Sequence, residues 1–461
     1  MTQAAARTAR ARSYDQHACR LARSALAGDR ADEVPGWLSE RRRAGTFEVR
    51  RIPFDRLQKW AFEPDTGNLV HDTGRFFSVE GLSVREDDGP VWSQPVINQP
   101  ETGILGILVK DIGGVPHFLM QAKMEPGNIG LFQLGPTVQA TRSNYTGVHR
   151  GRATRYVEYF VRPRRGTVLT DVLQSEQGDS FLRKRNRNMV VEITGDIEEH
   201  DDYRWLTLGE IHRLLAVDNL VNMDARTVLS SLPFPPADGD DATAPHTDTE
   251  LLSWLAGLKT RREREVKRIP LSEVRDWRRT PEEIAHVRGR HLRVLAVSVL
   301  AGNREVTSWT QPLLAAQRQG LAAFVIRWSG GAPQVLVQGL SQPGTFDVTE
   351  LAPTVQCVTD GCTDLPQPPP FLDYVLSAPA DRVRYSAVLS EEGGRFHERA
   401  NRYLIVEADA SFPREVPQEY RWLTLSQVKR FIGFSNHFDV EARTLVSCLQ
   451  SLWGREPSWT S

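Results

Sequence analysis

The sequence predicts an α+β protein made of two tandem copies of one domain, each a mixed sheet with flanking helices. Three observations predict this class: a long internal repeat, strand hairpins inside each copy, and helix-capping patterns near the end of each copy. The segments that return 217 residues later include WL at 37–38, RIP at 51–53, PG at 126–127, PTVQ at 136–139, YRWLTL at 203–208 and ART at 225–227. So many matches at one offset indicate a tandem duplication, with units far longer than solenoid repeats.

The repeat and the composition of the chain predict its division into domains. The segment between the copies is rich in Pro and Asp and poor in large apolar residues, which is typical of a solvated linker. The predicted ranges are an N-terminal arm at 1–32, domain 1 at 33–232, the linker at 233–249 and domain 2 at 250–461.

Each copy shows the same order of elements. ILGILVK at 104–110 and HFLMQAK at 117–123 flank a Gly-Gly pair and predict a hairpin, as do the equivalent segments of the second copy. YVEYFV at 156–161 and MVVEI at 189–193 predict strands, whereas VLTDVLQ at 168–174 has helix-like spacing. Capping boxes predict two further helices, at Thr207 with Glu210 and at Thr424 with Gln427, and a final helix of copy one is expected near Asp224.

Composition excludes several classes of protein. With 57 basic and 58 acidic residues the net charge is −1, so there is no global field to attract nucleic acid or an anionic membrane surface. No stretch approaches the roughly 18 apolar residues of a membrane span. The first thirty residues lack the apolar core of a secretory signal, and four cysteines are too few for a disulfide scaffold. The expectation is a cytoplasmic protein without a metal site.

The copies differ where a binding or catalytic site would be kept in one and lost in the other. Lys123 becomes Leu340 and Glu125 becomes Gln342 at the equivalent positions. TRSNY at 141–145 corresponds to VTDGC at 358–362 and loses an arginine, an amide and a phenol. These differences predict that the chemistry belongs to copy one. The alternative is that Lys123 and Glu125 form a solvated surface pair of little energetic value.

Four segments of the chain resemble those of a known protein family. HDTGRFFSVEGL (71–82), QPETGILG (99–106), LMQAKMEPGN (119–128) and PTVQATRSNYTGVHRG (136–151) resemble the signature segments of the NDP-hexose 2,3-dehydratases. The resemblance extends over both copies. It implies a duplicated Nudix-like fold, a homodimer, and a dTDP-4-keto-6-deoxy-D-glucose substrate in the deoxysugar pathways of antibiotic biosynthesis. It also implies a downstream 3-ketoreductase or aminotransferase that consumes the product.

The implied reaction needs a base for the C3 proton, a stabiliser for the enolate and an acid for the C2 hydroxyl. Elimination of water has no net redox change, so no cofactor is expected. Glu125 or His71 is the candidate base, and Tyr145 or Lys123 the candidate acid, with Lys123 alternatively holding the ketone oxygen. The predicted substrate-binding residues are Asp72, Arg75, Trp92, Gln121, Thr141, Arg142, Ser143, Asn144, His149 and Arg150. Among them Arg75, Arg142 and Arg150 suit a diphosphate, which guanidinium groups bind bidentately.

Two other functions stay open from the sequence. A Nudix-type nucleotide-sugar hydrolase would need a glutamate-rich box to hold divalent cations. In copy two Glu391-Glu392-Gly393-Gly394 resembles the end of that box, but Ala387 and Val388 occupy the positions of its Arg-Glu pair. The other alternative is a non-catalytic protein that binds sugar nucleotides in both copies.

Overall fold

The computed structural model describes residues 17–145, 154–161, 165–233, 243–302, 306–329, 332–357 and 368–452. The strands of the first repeat are β1 (Phe47–Ile52), β2 (Trp60–Phe62), β3 (Leu69–His71), β4 (Ser78–Glu86), β5 (Trp92–Asn98), β6 (Gly103–Ile112), β7 (Val115–Met124), β8 (Phe132–Gly135), β9 (Val138–Ala140), β10 (Thr167–Ser175), β11 (Arg185–Ile193) and β12 (Tyr203–Thr207). Those of the second repeat are β13 (Arg264–Ile269), β14 (Trp277–Arg279), β15 (Glu283–His286), β16 (Leu292–Ala301), β17 (Ser308–Ala316), β18 (Gly320–Ser329), β19 (Ala332–Leu340), β20 (Glu350–Ala352), β21 (Val355–Cys357), β22 (Val383–Ser390), β23 (Ala400–Glu407) and β24 (Tyr420–Thr424).

Helices cover the faces of these sheets. They are α1 (Val34–Arg43), α2 (Arg142–Tyr145), α3 (Glu158–Val161), α4 (Leu208–Leu214), α5 (Met223–Leu229), α6 (Asp248–Arg261), α7 (Leu372–Leu376), α8 (Leu425–Ile432) and α9 (Val440–Leu452). None of the helices in the described ranges is long and apolar enough to cross a membrane.

Each repeat contains a seven-stranded mixed sheet. In the first, the order is β10-β11-β6-β7-β12, with β8 on β7 and β9 on β6. The second repeats this arrangement with β22-β23-β18-β19, followed by β20 and β24 on β19 and by β21 on β18. The hairpin strands β6 and β7 are antiparallel, while β6 and β11 are parallel. The predicted hairpins and the two capping boxes, at Thr207 and Thr424, are therefore confirmed.

The repeats exchange a strand. β1 of the first repeat pairs with β16 of the second, and β13 of the second pairs with β4 of the first. Each exchanged strand ends in the isoleucine of the repeated RIP segment. The main hydrophobic core of the first repeat also contains residues of the second, because Leu295, Val297 and Leu313 pack into it.

The last helices of the two repeats, α5 and α9, meet in the interior. Arg226 and Arg443 are fully buried there. Arg443 Nε donates to Thr227 Oγ1 at 2.7 Å, and Arg226 Nε approaches Thr444 Oγ1 at 3.4 Å. The repeated ART segment is thus a reciprocal contact between the copies.

Two predicted elements are wrong. Residues 168–174 belong to strand β10 and not to a helix; a β-bulge between Val168 and Thr170 shifts the alternation, so that the apolar residues take on helix-like spacing. Residues 156–161 do not form a strand, because Tyr156 has a φ of 59° and α3 begins at Glu158. Burial of Phe160 against Gly106 fixes that helix.

The predicted N-terminal arm is partly described. Residues 17–26 are helical and pack on the first repeat. Leu21 enters its core, and Ser24 Oγ donates to Pro116 O at 2.5 Å. Near the C-terminal end of the predicted linker, Thr247 is the N-cap of α6, which begins at Asp248. Cys357 is disulfide-bonded, although the low cysteine count of the chain did not predict a disulfide.

Candidate active site

Two adjoining cavities open beside the end of β7. The large cavity has a volume of about 750 Å³, and a smaller polar recess of about 90 Å³ lies next to it. Lys123 and Gln139 line both, so the two spaces meet at these side chains. A volume of this size suits a small organic ligand or cofactor.

Lys123 and Glu125 reach the recess because β7 ends there. Lys123 pairs with Gln133 of β8 and is 7% exposed. Glu125, 3% exposed, opens the turn that follows, where its backbone N–H donates to Leu131 O at 3.1 Å. A solvated surface pair was the alternative expected from the sequence, and the burial of both side chains contradicts it.

A chain of amide hydrogen bonds orients Glu125. Gln139 Nε2 donates to Glu125 Oε1 at 2.6 Å, and Asn222 Nδ2 donates to Gln139 Oε1 at 3.2 Å. Asn222 is also the N-cap of α5, where it accepts from Ala225 N at 2.8 Å. This places Asp224, in the first turn of α5, at the wall of the recess.

The second repeat supplies one wall of the recess. Gly127 N donates to Gly393 O at 2.7 Å, which brings Glu392 next to Glu125. Oxygen atoms of Glu125, Asp224 and Glu392 all lie within 4.8 Å of one another. One buried oxygen of each has no hydrogen-bond partner: Glu125 Oε2, Asp224 Oδ1 and Glu392 Oε2.

Burial and crowding change the ionisation of these groups. Burial, with the neighbouring Glu125, raises the pKa of Glu392 to about 8 and that of Asp224 well above its usual range. Burial lowers the pKa of Lys184 to about 8. Oxygens this close together could attract a hard divalent cation. The recess also contains the basic side chains of Lys123, Lys184 and Arg395, and the raised pKa values of Glu392 and Asp224 favour their protonated forms.

The large cavity has a different chemistry. Three tyrosines line it together with basic side chains: Tyr156, Tyr159, Tyr203, Arg41, Arg155 and His200. The rings of Tyr156 and Tyr203 meet edge to face, with centroids 4.9 Å apart. Aromatic faces and guanidinium groups are the partners that a nucleobase and a diphosphate require.

The structure brings part of the predicted site together. Lys123 and Thr141 line the recess, and Gln121 lines the large cavity. Ser143 is buried beside them, where its N–H and Oγ donate to Glu101 Oε2 at 3.0 and 2.8 Å. Lys184 Nζ donates to the carbonyl oxygen of the same Glu101.

Several predicted residues are not among the described residues that line the two cavities. Arg142 is exposed on α2, and Tyr145 packs against the cluster around Phe160. The side chain of Asn144, and the whole of His149 and Arg150, lie outside the described residues.

The predicted residues before β6 lie on another sheet. His71 ends β3 and packs against Trp60 and Phe76, with its Nδ1 2.8 Å from Thr73 Oγ1. Its neighbours Asp72 and Arg75 are exposed, and Trp92, 37% exposed, pairs with Val84 at the start of β5. None of these four predicted residues is among those lining the two described cavities.

Sequence reasoning missed the other half of the recess. The missed residues are Gln139, Glu176, Lys184, Asp224, Glu392 and Arg395. A signal was present: SEQG at 175–178 corresponds to SEEG at 390–393, two residues out of step with the main offset. Lys184 stands inside the basic run RKRNR at 183–187, which is more typical of a solvated face.

Comparison with known proteins adds to this geometry. A family model described as NDP-hexose 2,3-dehydratase matches residues 31–232 and again 248–449. A protein of Amycolatopsis orientalis named dTDP-4-dehydro-6-deoxy-alpha-D-glucopyranose 2,3-dehydratase is 49% identical over 457 residues, covering 96% of both chains. Proteins of the same name from Saccharopolyspora spinosa and Streptomyces violaceoruber are each 48% identical. They cover 90% of this chain, and 90% and 96% of their own lengths respectively.

Proposed function

The chain belongs to the NDP-hexose 2,3-dehydratase family, and we propose that it removes water across C2 and C3 of dTDP-4-keto-6-deoxy-D-glucose. The product is a dTDP-3,4-diketo-2,6-dideoxy sugar. One observation from the structure carries the proposal: a buried lysine and a buried glutamate both line a small polar recess, and the lysine also lines the large cavity beside it.

The two cavities suit the two parts of this substrate. The large cavity has the tyrosines for the thymine ring and the basic side chains of Arg41 and Arg155 for the diphosphate. The recess, with its alternating acids and cations, suits the hexose ring. Lys123 lies at the junction, within reach of both parts.

The mechanism follows from the acidity of the C3 proton next to the C4 ketone. Glu125, oriented by Gln139, accepts that proton. Lys123 holds the ketone oxygen and stabilises the enolate that develops there. Loss of the C2 hydroxyl as water gives an enol, which tautomerises to the diketo sugar.

The remaining features of the proposal come from the family. Each repeat is a Nudix-like domain, and the enzyme is a cytoplasmic homodimer in antibiotic biosynthesis. A 3-ketoreductase or an aminotransferase acts on its product. His149 and Arg150 complete the substrate-binding residues.

The test is direct incubation with dTDP-4-keto-6-deoxy-D-glucose. Mass spectrometry should show loss of the mass of one water, with a ketoreductase or aminotransferase added to trap the labile product. Release of thymidine monophosphate would instead indicate a Nudix-type hydrolase. Binding without any chemical change would indicate a sugar-nucleotide receptor.

A further inference from the structure

The contacts around the recess occur twice, related by an approximate two-fold axis between the repeats. Gly127 N donates to Gly393 O at 2.7 Å, and the equivalent Gly344 N donates to Gly178 O at 2.6 Å. Asn186 Nδ2 donates to Glu176 Oε1 at 2.6 Å, matched by Asn401 and Glu391 at 2.6 Å. The second repeat therefore has an equivalent position for every group in the recess; we call that region the second recess.

The groups that both recesses keep are explained by the fold. Glu176 is equivalent to Glu391, and Asp224 to Glu441. In the second recess Glu391 is satisfied by Gln177, Asn401 and Tyr403, at 2.8, 2.6 and 2.7 Å. Because these carboxylates occur in both recesses, they do not distinguish the first recess from the second.

The groups that only the first recess has form one set. Lys123, Glu125, Glu392 and Arg395 are replaced in the second recess by Leu340, Gln342, Gln177 and Ser180. Arg399 also pairs with Asp179 there, Nη2 to Oδ2 at 2.5 Å, so a buried ion pair occupies the second recess. Glu125 and Glu392 are thus both acids in the first recess, and both of their equivalents in the second recess are glutamines.

The stereochemistry of the substrate suits such a pair. In a D-gluco ring the C3 hydrogen and the C2 hydroxyl lie on the same face. The base that takes the proton and the acid that releases water must therefore approach from one side, with their oxygens a few ångströms apart. Glu125 and Glu392 have oxygens within 4.8 Å of each other, and each has one buried oxygen without a partner.

We propose that Glu392, supplied by the second repeat, is the catalytic acid that protonates the departing C2 hydroxyl in the recess of the first repeat. This inference rests on the proposed function. Glu125 takes the C3 proton, and the C3–H electron pair is held in the enolate with the C4 oxygen. That pair then forms the C2=C3 double bond as the C2–O bond breaks and Glu392 gives its proton to the departing oxygen. Water leaves, and proton transfer from Glu125 to Glu392 restores both groups.

The surroundings keep Glu392 protonated before reaction. Carboxylates of Glu125, Asp224 and Glu176 face it, opposed by the cationic Lys123, Lys184 and Arg395. Burial and the neighbouring Glu125 raise its pKa to about 8, so Glu392 carries a proton at pH 7. Activity that needs this proton is present below pH 8 and falls as the pH rises through that value.

The test separates removal of the C3 proton from loss of water. Glu392→Gln keeps the shape, and the second recess already has glutamine at this position, so the variant should fold. In D₂O it should still exchange the C3 hydrogen of the recovered substrate for deuterium. Its dehydration rate should fall by about 10²–10⁴-fold, the usual contribution of a general acid. Glu125→Gln should lose both exchange and dehydration, whereas Glu398→Gln, an exposed acid of the same segment, should behave as the wild type.

The outcomes distinguish failure of the proposed function from failure of the role of Glu392. If wild-type protein does not dehydrate the keto sugar, the proposed function fails. If it does, and Glu392→Gln turns over at the wild-type rate, Glu392 is not the acid. Loss of exchange together with dehydration in a folded Glu392→Gln variant would also overturn the assignment. So would activity that EDTA removes and a divalent cation restores, since the carboxylates would then hold a metal. Glu392→Asp should recover part of the dehydration rate if the proton is what matters.

Discussion

Gly127 lies against the backbone of the second repeat beside the recess, so an added methyl group tests the composite site. A Cβ at this position would lie 1.5 Å from Phe396 O and 2.8 Å from Gly393 O. Both are backbone atoms, which cannot turn aside as a flexible side chain would. Gly127→Ala must therefore separate the repeats locally.

The expected destabilisation combines two broken hydrogen bonds with the cost of overpacking. Gly127 donates to Gly393 O at 2.7 Å and accepts from Glu398 N at 2.8 Å. Each such bond contributes about 0.5–1.5 kcal/mol, and overpacking costs about 1–3 kcal/mol. We expect a loss of about 2–6 kcal/mol, a large share of the roughly 5–15 kcal/mol of a typical protein.

Two matched glycines provide controls, measured by thermal and urea unfolding and by dehydration per folded molecule. Gly344→Ala places a Cβ 1.8 Å from Phe181 O and should destabilise to a similar extent. Phe181 also lines the recess of the first repeat, so Gly344→Ala is a control for stability alone, whereas folded Gly127→Ala should in addition lose turnover. Gly36→Ala, in helix α1 with open space around it, should be neutral or slightly stabilising. Wild-type stability and turnover in Gly127→Ala would refute the reasoning.

Three further results are expected. Lys123→Leu and Glu125→Gln, which copy the second repeat, should each lower kcat by about 10²-fold or more with unchanged melting temperature, because the equivalent residues already fold there; steady-state turnover near the wild-type value would remove that residue from the chemistry. EDTA should leave the rate unchanged, since the recess supplies its own cations; a loss that a divalent cation reverses would contradict this. Burial raises the pKa of Glu350 to about 8, so its protonated form contributes stability fully below about pH 4.5, and that contribution is lost as the pH rises to about 8. Glu350→Gln, which matches Gln133 of the first repeat, should therefore show a smaller fall in melting temperature between pH 5 and pH 8; an equal fall would exclude Glu350 as a cause.

Local patterns were enough to predict much of the chain. The fixed offset revealed the duplication, Gly-Gly pairs between apolar runs predicted the hairpins, and capping boxes predicted where α4 and α8 begin. Lys123 and Glu125 were found because two copies of one fold differ there while the scaffold around them is kept. Each of these signals lies within a few residues, or within two segments aligned in one register.

The tertiary structure decided what lies between the copies. The exchange of β1 and β13, and the approach of Glu392 to Glu125, join positions that the repeat alignment never pairs. A two-fold relation brings Gly127 to Gly393 and Gly344 to Gly178, so contacting residues are non-equivalent ones. Sequence comparison of the copies finds equivalent positions, whereas the candidate site between them is built from non-equivalent ones. Only the packed structure brings those residues together.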